Sequence, residues 1–406
     1  MKEIQNNKDA LKYITGKWLF ILLIVVQYGF FMLIPVSKIT RGLAYTPWVS
    51  LLIIFSLICI VGLSSNNMHF KSWIFVFVLI NLISVVYIIL KYSYFDNTVL
   101  SGFGYAISIF AYFPIKKLSR EINIYKILII VNILAIISVI IQALIFNITN
   151  HLLIPSIDLS NLQIKSGLRI TYYDAFVIFG FVLSTDNIFY KGKKEFLNII
   201  NMIFSTIYIF YVSQTRYLEF FITIIFIFFF LKKVLNDLIN GRINYVFFMI
   251  MPFFLALLII IGKSLYISVL YPVIDGSYVN NGSYFARMDG IRYFMGTIKD
   301  SPIFGLGNFN ASSGTTYWNM IHGPLGFYYT QDIGLIGDIA RLGFPIFIMY
   351  VFMLIKSFKV DQKRKENSGL KILLLSFMGS ISFLSNGLIL ALIFVLLEDS
   401  DYEKND

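Results

Sequence analysis

Five side chains carry the chemistry this sequence can offer: Arg169, Arg216, Arg287, His322 and Asp332. An arginine is a planar, permanently charged fork that grips phosphate or carboxylate bidentately. A neutral histidine or a carboxylate can take a proton from a hydroxyl. Each residue also has a plainer reading. Arg216, in Ser213-Gln214-Thr215-Arg216-Tyr217, has Glu219 three residues on and on the same helix face. Arg169 could be an interfacial anchor whose stem lies along apolar surface. Arg287 could meet a carboxylate of the same protein. His322, in Trp318-Asn319-Met320-Ile321-His322-Gly323-Pro324, could be an ordinary surface histidine. Asp332, in Gln331-Asp332-Ile333-Gly334, could cap the helix that follows. Asp275 and Asp289 are weaker candidates of the same kind.

The elements that must position these groups follow from periodicity. Read as a helix at 100° per residue, Phe285–Lys299 puts Ile291, Phe294 and Ile298 on one arc, between about 180° and 240°. Arg287 falls at about 200°, within that arc, and is expected to point inward. Arg292, Asp289 and Lys299 fall on the opposite, wet side. Asp300-Ser301-Pro302 stops the helix, because proline restricts the residue before it. Gly305 and Gly307 then permit a tight turn.

Composition fixes the solvent. Hydrophobic residues make up 58% of the 406, charged residues only 14%, and the mean hydropathy is +0.78. A soluble domain carries about 25% charged residues, so a soluble enzyme, a disordered chain and a disulfide scaffold are excluded. One cysteine and three scattered histidines offer no metal cluster, so no metal or other cofactor is expected. A membrane helix needs about 20 mostly apolar residues. Candidate runs are 18–36, 48–63, 73–90, 99–115, 124–146, 170–190, 196–212, 217–231, 243–262, 333–355 and 370–397. They give an all-α polytopic integral membrane protein of about 11 transmembrane helices, or 12 if the last run breaks near Ser385, Asn386 and Gly387. The whole chain, 1–406, reads as one transmembrane domain, with 263–341 as a large extracytoplasmic loop containing short helices. With the N-terminus in the cytoplasm, 21 of the 33 Lys and Arg fall on inside segments and 12 on the longer outside ones. That satisfies the positive-inside rule, so the net charge of +11 is an orientation signal and does not imply nucleic acid.

Several strings in this layout resemble the O-antigen polymerase and ligase superfamily. Arg287-Met-Asp-Gly-Ile-Arg-Tyr-Phe-Met-Gly-Thr-Ile-Lys-Asp-Ser-Pro-Ile-Phe-Gly-Leu-Gly is similar to its Arg…Pro-hydrophobic-Phe/Leu-Gly-hydrophobic-Gly signature in the large external loop. Ser-Gln-Thr-Arg216 looks like its Ser-x-x-Arg element. Gln331-Asp-Ile-Gly-Leu-Ile-Gly337 with Arg341-Leu-Gly-Phe344 looks like its entry into the next helix. Arg169 to Gly180 has the Arg-ten-residues-Gly spacing of some polymerases. The family's ligases follow their histidine with asparagine, where this chain has Gly323.

The resemblance implies a metal-independent glycosyltransferase in the bacterial cytoplasmic membrane. It would join undecaprenyl-pyrophosphate-linked oligosaccharide repeats at the outer leaflet into capsular, exo- or O-antigen polysaccharide. Arg216, Arg287 and Arg169 would bind the pyrophosphate, and His322 or Asp332 would be the base. The partners implied are the lipid-linked oligosaccharide, the bilayer and a chain-length regulator protein, and no nucleic acid. Loop aromatics (Tyr271, Tyr278, Tyr284, Tyr317, Trp318) would stack on sugars or pack the loop. Ligase-type transfer to another acceptor is the alternative, as is a flippase of the same pathway. A flippase should show charge at the bilayer midplane and repeated halves, and the mid-span polar residues here are few: Asn81, Asn132 and Gln142.

Overall fold

The computed structural model describes residues 2–32, 46–63, 68–95, 97–151, 153, 163–164, 168–170, 174–189, 196–240, 263, 266, 271–276, 282–311, 314–362, 368–377, 379, 382 and 384–398. Among them the fold is all-α, apart from a two-residue antiparallel ladder in which Gln163 pairs with Arg169 and Ile164 with Leu168. The 243–262 run lies outside the described residues, as does Tyr278.

Three described helices are long and apolar enough to cross a membrane: Lys71–Tyr92, Ile124–Thr149 and Phe196–Ser213. Asparagine marks both ends of the second. The Asn123 side chain caps its first turn by accepting from the Lys126 amide, and Asn150 ends it in the left-handed region at φ 55°. Other apolar runs are shorter or broken. The 333–355 run divides at Gly343 into Leu335–Leu342 and Phe344–Gln362, and the 370–397 run into Ser368–Ser376 and Gly387–Glu398. The second break falls at the Ser385-Asn386-Gly387 string where the sequence allows one, whereas Gly343 stands singly among apolar neighbours and a hydropathy window does not see it.

Lys71–Tyr92 is patterned inside out. Phe75, Leu79, Leu82, Val86 and Leu90 are exposed, while Asn81 and Ser84 are buried. Asn308 satisfies both polar groups: its amide donates to Ser84 Oγ (2.8 Å) and its Nδ2 to Asn81 Oδ1 (2.8 Å). A second buried chain runs from Tyr28 to Asn132 Oδ1 (2.5 Å), from Asn132 to Asn201 (2.7 Å), and from Asn201 to the Gly180 carbonyl (2.9 Å). A Cβ on Gly180 would lie 2.2 Å from Asn132 Nδ2, so this close helix contact requires glycine.

Gly387–Glu398 is buried on almost every side, as an apolar helix without a polar face must be. Its last residue, Glu398, meets Lys116 Nζ (3.5 Å) and the Tyr112 hydroxyl (2.7 Å). Outside this bundle, Gly282–Asp300 packs on Leu335–Leu342 and the turn Thr330–Ile333, around Phe294, Ile298, Leu306, Tyr328, Ile333 and Ala340.

Candidate functional site

The site is built on the close docking of two glycine-bearing strings. The Leu306 amide donates to the Ala340 carbonyl (2.8 Å), the Gly307 amide to the Arg341 carbonyl (2.8 Å), and the Phe344 amide to the Pro302 carbonyl (2.7 Å). Gly305 at φ 60° has its open side 2.4 Å from the Ala340 oxygen, and Gly343 at φ 72° faces the Ile303 oxygen at 2.3 Å. Side chains at either position would separate the strings. Between them lies Arg341, 7% exposed, donating to the Phe309 carbonyl and to Thr330 Oγ1 (3.4 Å). Asp338, three residues earlier on the same helix, accepts from Ser382 (2.8 Å).

This platform carries Asp332. The residue lies in the 3-10 turn Thr330–Ile333, and Gly334 is the residue that caps the following helix. The capping reading of Asp332 is therefore replaced: the residue as a whole is exposed and does not cap the helix, although its carboxyl is partly shielded by neighbouring protein. Surrounding protein raises the pKa of that carboxyl, and the charges of Arg287 and Arg169 pull it back down. Arg287 and Arg169 thus both bear electrostatically on Asp332.

Arg287 corrects the helical-wheel expectation, because its side chain is exposed. The wheel gives the direction correctly, since Phe294 and Ile298 on the same arc are buried. However, Arg287 is exposed three residues before Gly290, which faces Tyr328. Arg292 stands on the wet face and pairs with Asp289 at 3.2 Å.

Arg169 is half-buried at the end of the short ladder. Its Nε donates to the Ser213 carbonyl (2.7 Å) and its Nη2 to Thr215 Oγ1 (3.2 Å). These contacts tie it to the Ser-Gln-Thr-Arg turn, where a π-helical segment, Tyr208–Ser213, ends and Gln214 turns left-handed at φ 48°. Arg216, exposed, opens the next helix, with Glu219 in its first turn.

His322 ends Thr316–His322, its ring tilted 41° against that of Trp318 with centroids 3.9 Å apart. Its Nδ1 lies 3.2 Å from the Tyr328 carbonyl. A carbonyl only accepts, so in the neutral ring Nδ1 carries the proton and Nε2 is left as acceptor. Burial, and then the charge of Arg341, lower its pKa to about 4. It is neutral at pH 7 but a weaker base than an unperturbed imidazole. Of the loop aromatics, Tyr317 is taken up in packing, stacked on Tyr94 at 4.1 Å, while Tyr271 is exposed.

Two participants have no counterpart among the sequence candidates. Asp174 accepts from Ser213 (3.0 Å) and Thr215 (3.2 Å) and lies 3.0 Å from the Tyr208 hydroxyl. Arg341 is the other. Each is a charge inside or at the mouth of an apolar run, which is the signal that could have found it. Among the described residues, no group of three His, Cys, Asp or Glu could hold a metal. The chain matches no family model, no curated protein and no solved structure.

Proposed function

We propose that this chain is a polytopic glycosyltransferase of the bacterial cytoplasmic membrane. It polymerises undecaprenyl-pyrophosphate-linked oligosaccharide repeats at the outer leaflet, as the resemblance to the O-antigen polymerases implies. In this reading the shorter and paired helices complete about eleven crossings, the N-terminus is cytoplasmic and 263–341 faces outward. The observation that carries the proposal is the packing of the Arg287 helix, Gly282–Asp300, on the Thr330–Ile333 turn that holds Asp332, whose carboxyl feels the charges of Arg287 and Arg169. An acceptor hydroxyl attacks the anomeric carbon, and its proton passes to Asp332. The bond from that carbon to the phosphate oxygen breaks, and its electron pair leaves on the pyrophosphate. Arg287, Arg169 and Arg216 stabilise the charge that develops there, and no metal is needed. Asp332 suits the base better than His322, because raised carboxylates and lowered imidazoles move in opposite directions relative to the working pH. His322 Nε2 accepts from a sugar hydroxyl.

Gly323 favours polymerase over ligase. At φ 71°, a Cβ there would lie 2.0 Å from the Tyr328 ring, so the asparagine found in ligases does not fit. The test is polymer synthesis from a lipid-linked repeat by purified protein in liposomes. Arg287→Ala and Asp332→Asn should each lose about 10²–10³ in rate, and Arg292→Ala should be near normal. Long polymer from normally inserted Arg287→Ala and Asp332→Asn would refute the site.

A further inference from the structure

We infer that Asp174 is a positioning residue that holds Arg169 and the Ser213–Arg216 turn in place for an anionic phosphate group. The inference rests on the pyrophosphate reading given above.

Asp174 is the first residue of Asp174–Phe189, while Arg169 belongs to a different element, the ladder strand Leu168–Arg169. The two are joined through the turn. Ser213 and Thr215 hydroxyls reach Asp174 Oδ2 at 3.0 and 3.2 Å. The same two residues accept from Arg169, Ser213 through its carbonyl (2.7 Å) and Thr215 through its hydroxyl (3.2 Å). Tyr208 closes the group, its hydroxyl set between the Ile170 carbonyl (2.8 Å) and Asp174 Oδ1 (3.0 Å).

The turn is costly by itself. It leaves a π-helical segment, Tyr208–Ser213, and passes through Gln214 in the left-handed region at φ 48°. Such backbone persists only where its surroundings over-determine it. The Asp174 carboxyl, within hydrogen-bond distance of the hydroxyls of Tyr208, Ser213 and Thr215, supplies that determination. It also holds, through Ser213 and Thr215, the two groups that accept from Arg169. A polar group in this position orients other groups and does not touch substrate.

The test is a double-mutant cycle in nanodiscs with undecaprenyl pyrophosphate as the probe. Arg169→Ala should weaken binding about tenfold or more, as expected for the loss of a charge-assisted hydrogen bond. Asp174→Asn should weaken it comparably, and the double variant should bind no worse than Arg169→Ala alone. Asparagine keeps the volume of the side chain, so it carries the test where Asp174→Ala fails to insert. Hydrogen exchange at the Gln214 amide, which donates to the Ile209 carbonyl at 2.9 Å, should speed up in Asp174→Asn with or without ligand. Additive affinity losses, or wild-type affinity in Asp174→Asn, overturn the inference. So does unchanged exchange at Gln214. If Arg169→Ala binds the probe like wild type, the pyrophosphate reading fails instead, and the exchange result alone judges the hold on the turn.

Discussion

Replacing Gly305 by alanine should separate the two docked strings, and the cost can be worked out from the contacts. Gly305 has φ 60°, a conformation that costs an L-residue about 1 kcal/mol. Its new methyl would stand 2.4 Å from the Ala340 carbonyl and 2.8 Å from that of Arg341. Those are the two oxygens that accept from Leu306 and Gly307. Relieving the clash pulls the strings apart and breaks both bonds, each contributing about 1 kcal/mol net. The total is on the order of 3 kcal/mol, a large share of the roughly 5–15 kcal/mol that keeps a protein folded. The assay is thermal and denaturant unfolding of the purified protein in detergent, with protease resistance of the 301–311 segment as a local readout. Gly296→Ala is the control. That glycine lies in Gly282–Asp300 with nothing within 4 Å of an added Cβ, so alanine should stabilise by about 1 kcal/mol. Wild-type stability in Gly305→Ala would mean that the Pro302–Gly307 string does not dock as described.

Further outcomes follow from the same contacts. If Asp332 is the base, activity falls as pH drops through its raised pKa. Arg287 holds that pKa down, so Arg287→Gln should move the acidic limb of the pH–rate profile to higher pH. An unmoved limb would point away from Asp332. Glu398→Ala leaves Lys116 buried without its carboxylate and should destabilise by about 3–5 kcal/mol, with Glu398→Gln milder, measured by unfolding in detergent. On a Cys59→Ser background, Thr316→Cys should react with an impermeant thiol reagent on intact cells; labelling only after lysis would invert the topology. Polymer synthesis should persist in EDTA; loss restored by magnesium would remove the arginine-only account.

Angle was legible in the sequence, but depth was not. The 100° wheel found the packed edge of Gly282–Asp300, since Phe294 and Ile298 are the residues it buries. It could not say where along the axis contact begins, and so it placed Arg287 inward. Hydropathy found the apolar runs but averaged across Gly343, whose left-handed backbone divides one run into two helices. Asp174 was hidden for a related reason. In the linear sequence it is a single acid at the start of an apolar run, 39 residues from Ser213, which it accepts from. Only tertiary structure joins them, through a ladder of two residues and a π-helical end that no periodicity announces. Arg341 shows the same limit from the other side. It sits in a string already notable for its glycines, and those glycines permit a backbone approach close enough to enclose a guanidinium. A charge so enclosed must be met by fixed acceptors. Here they are the Phe309 carbonyl and Thr330, so the residue that looks most like a ligand-binding arginine in that string is occupied in holding the platform together. Arg287 and Arg216, by contrast, are exposed, and Arg216 is the first residue of its helix, where the helix dipole and the guanidinium both favour an anion.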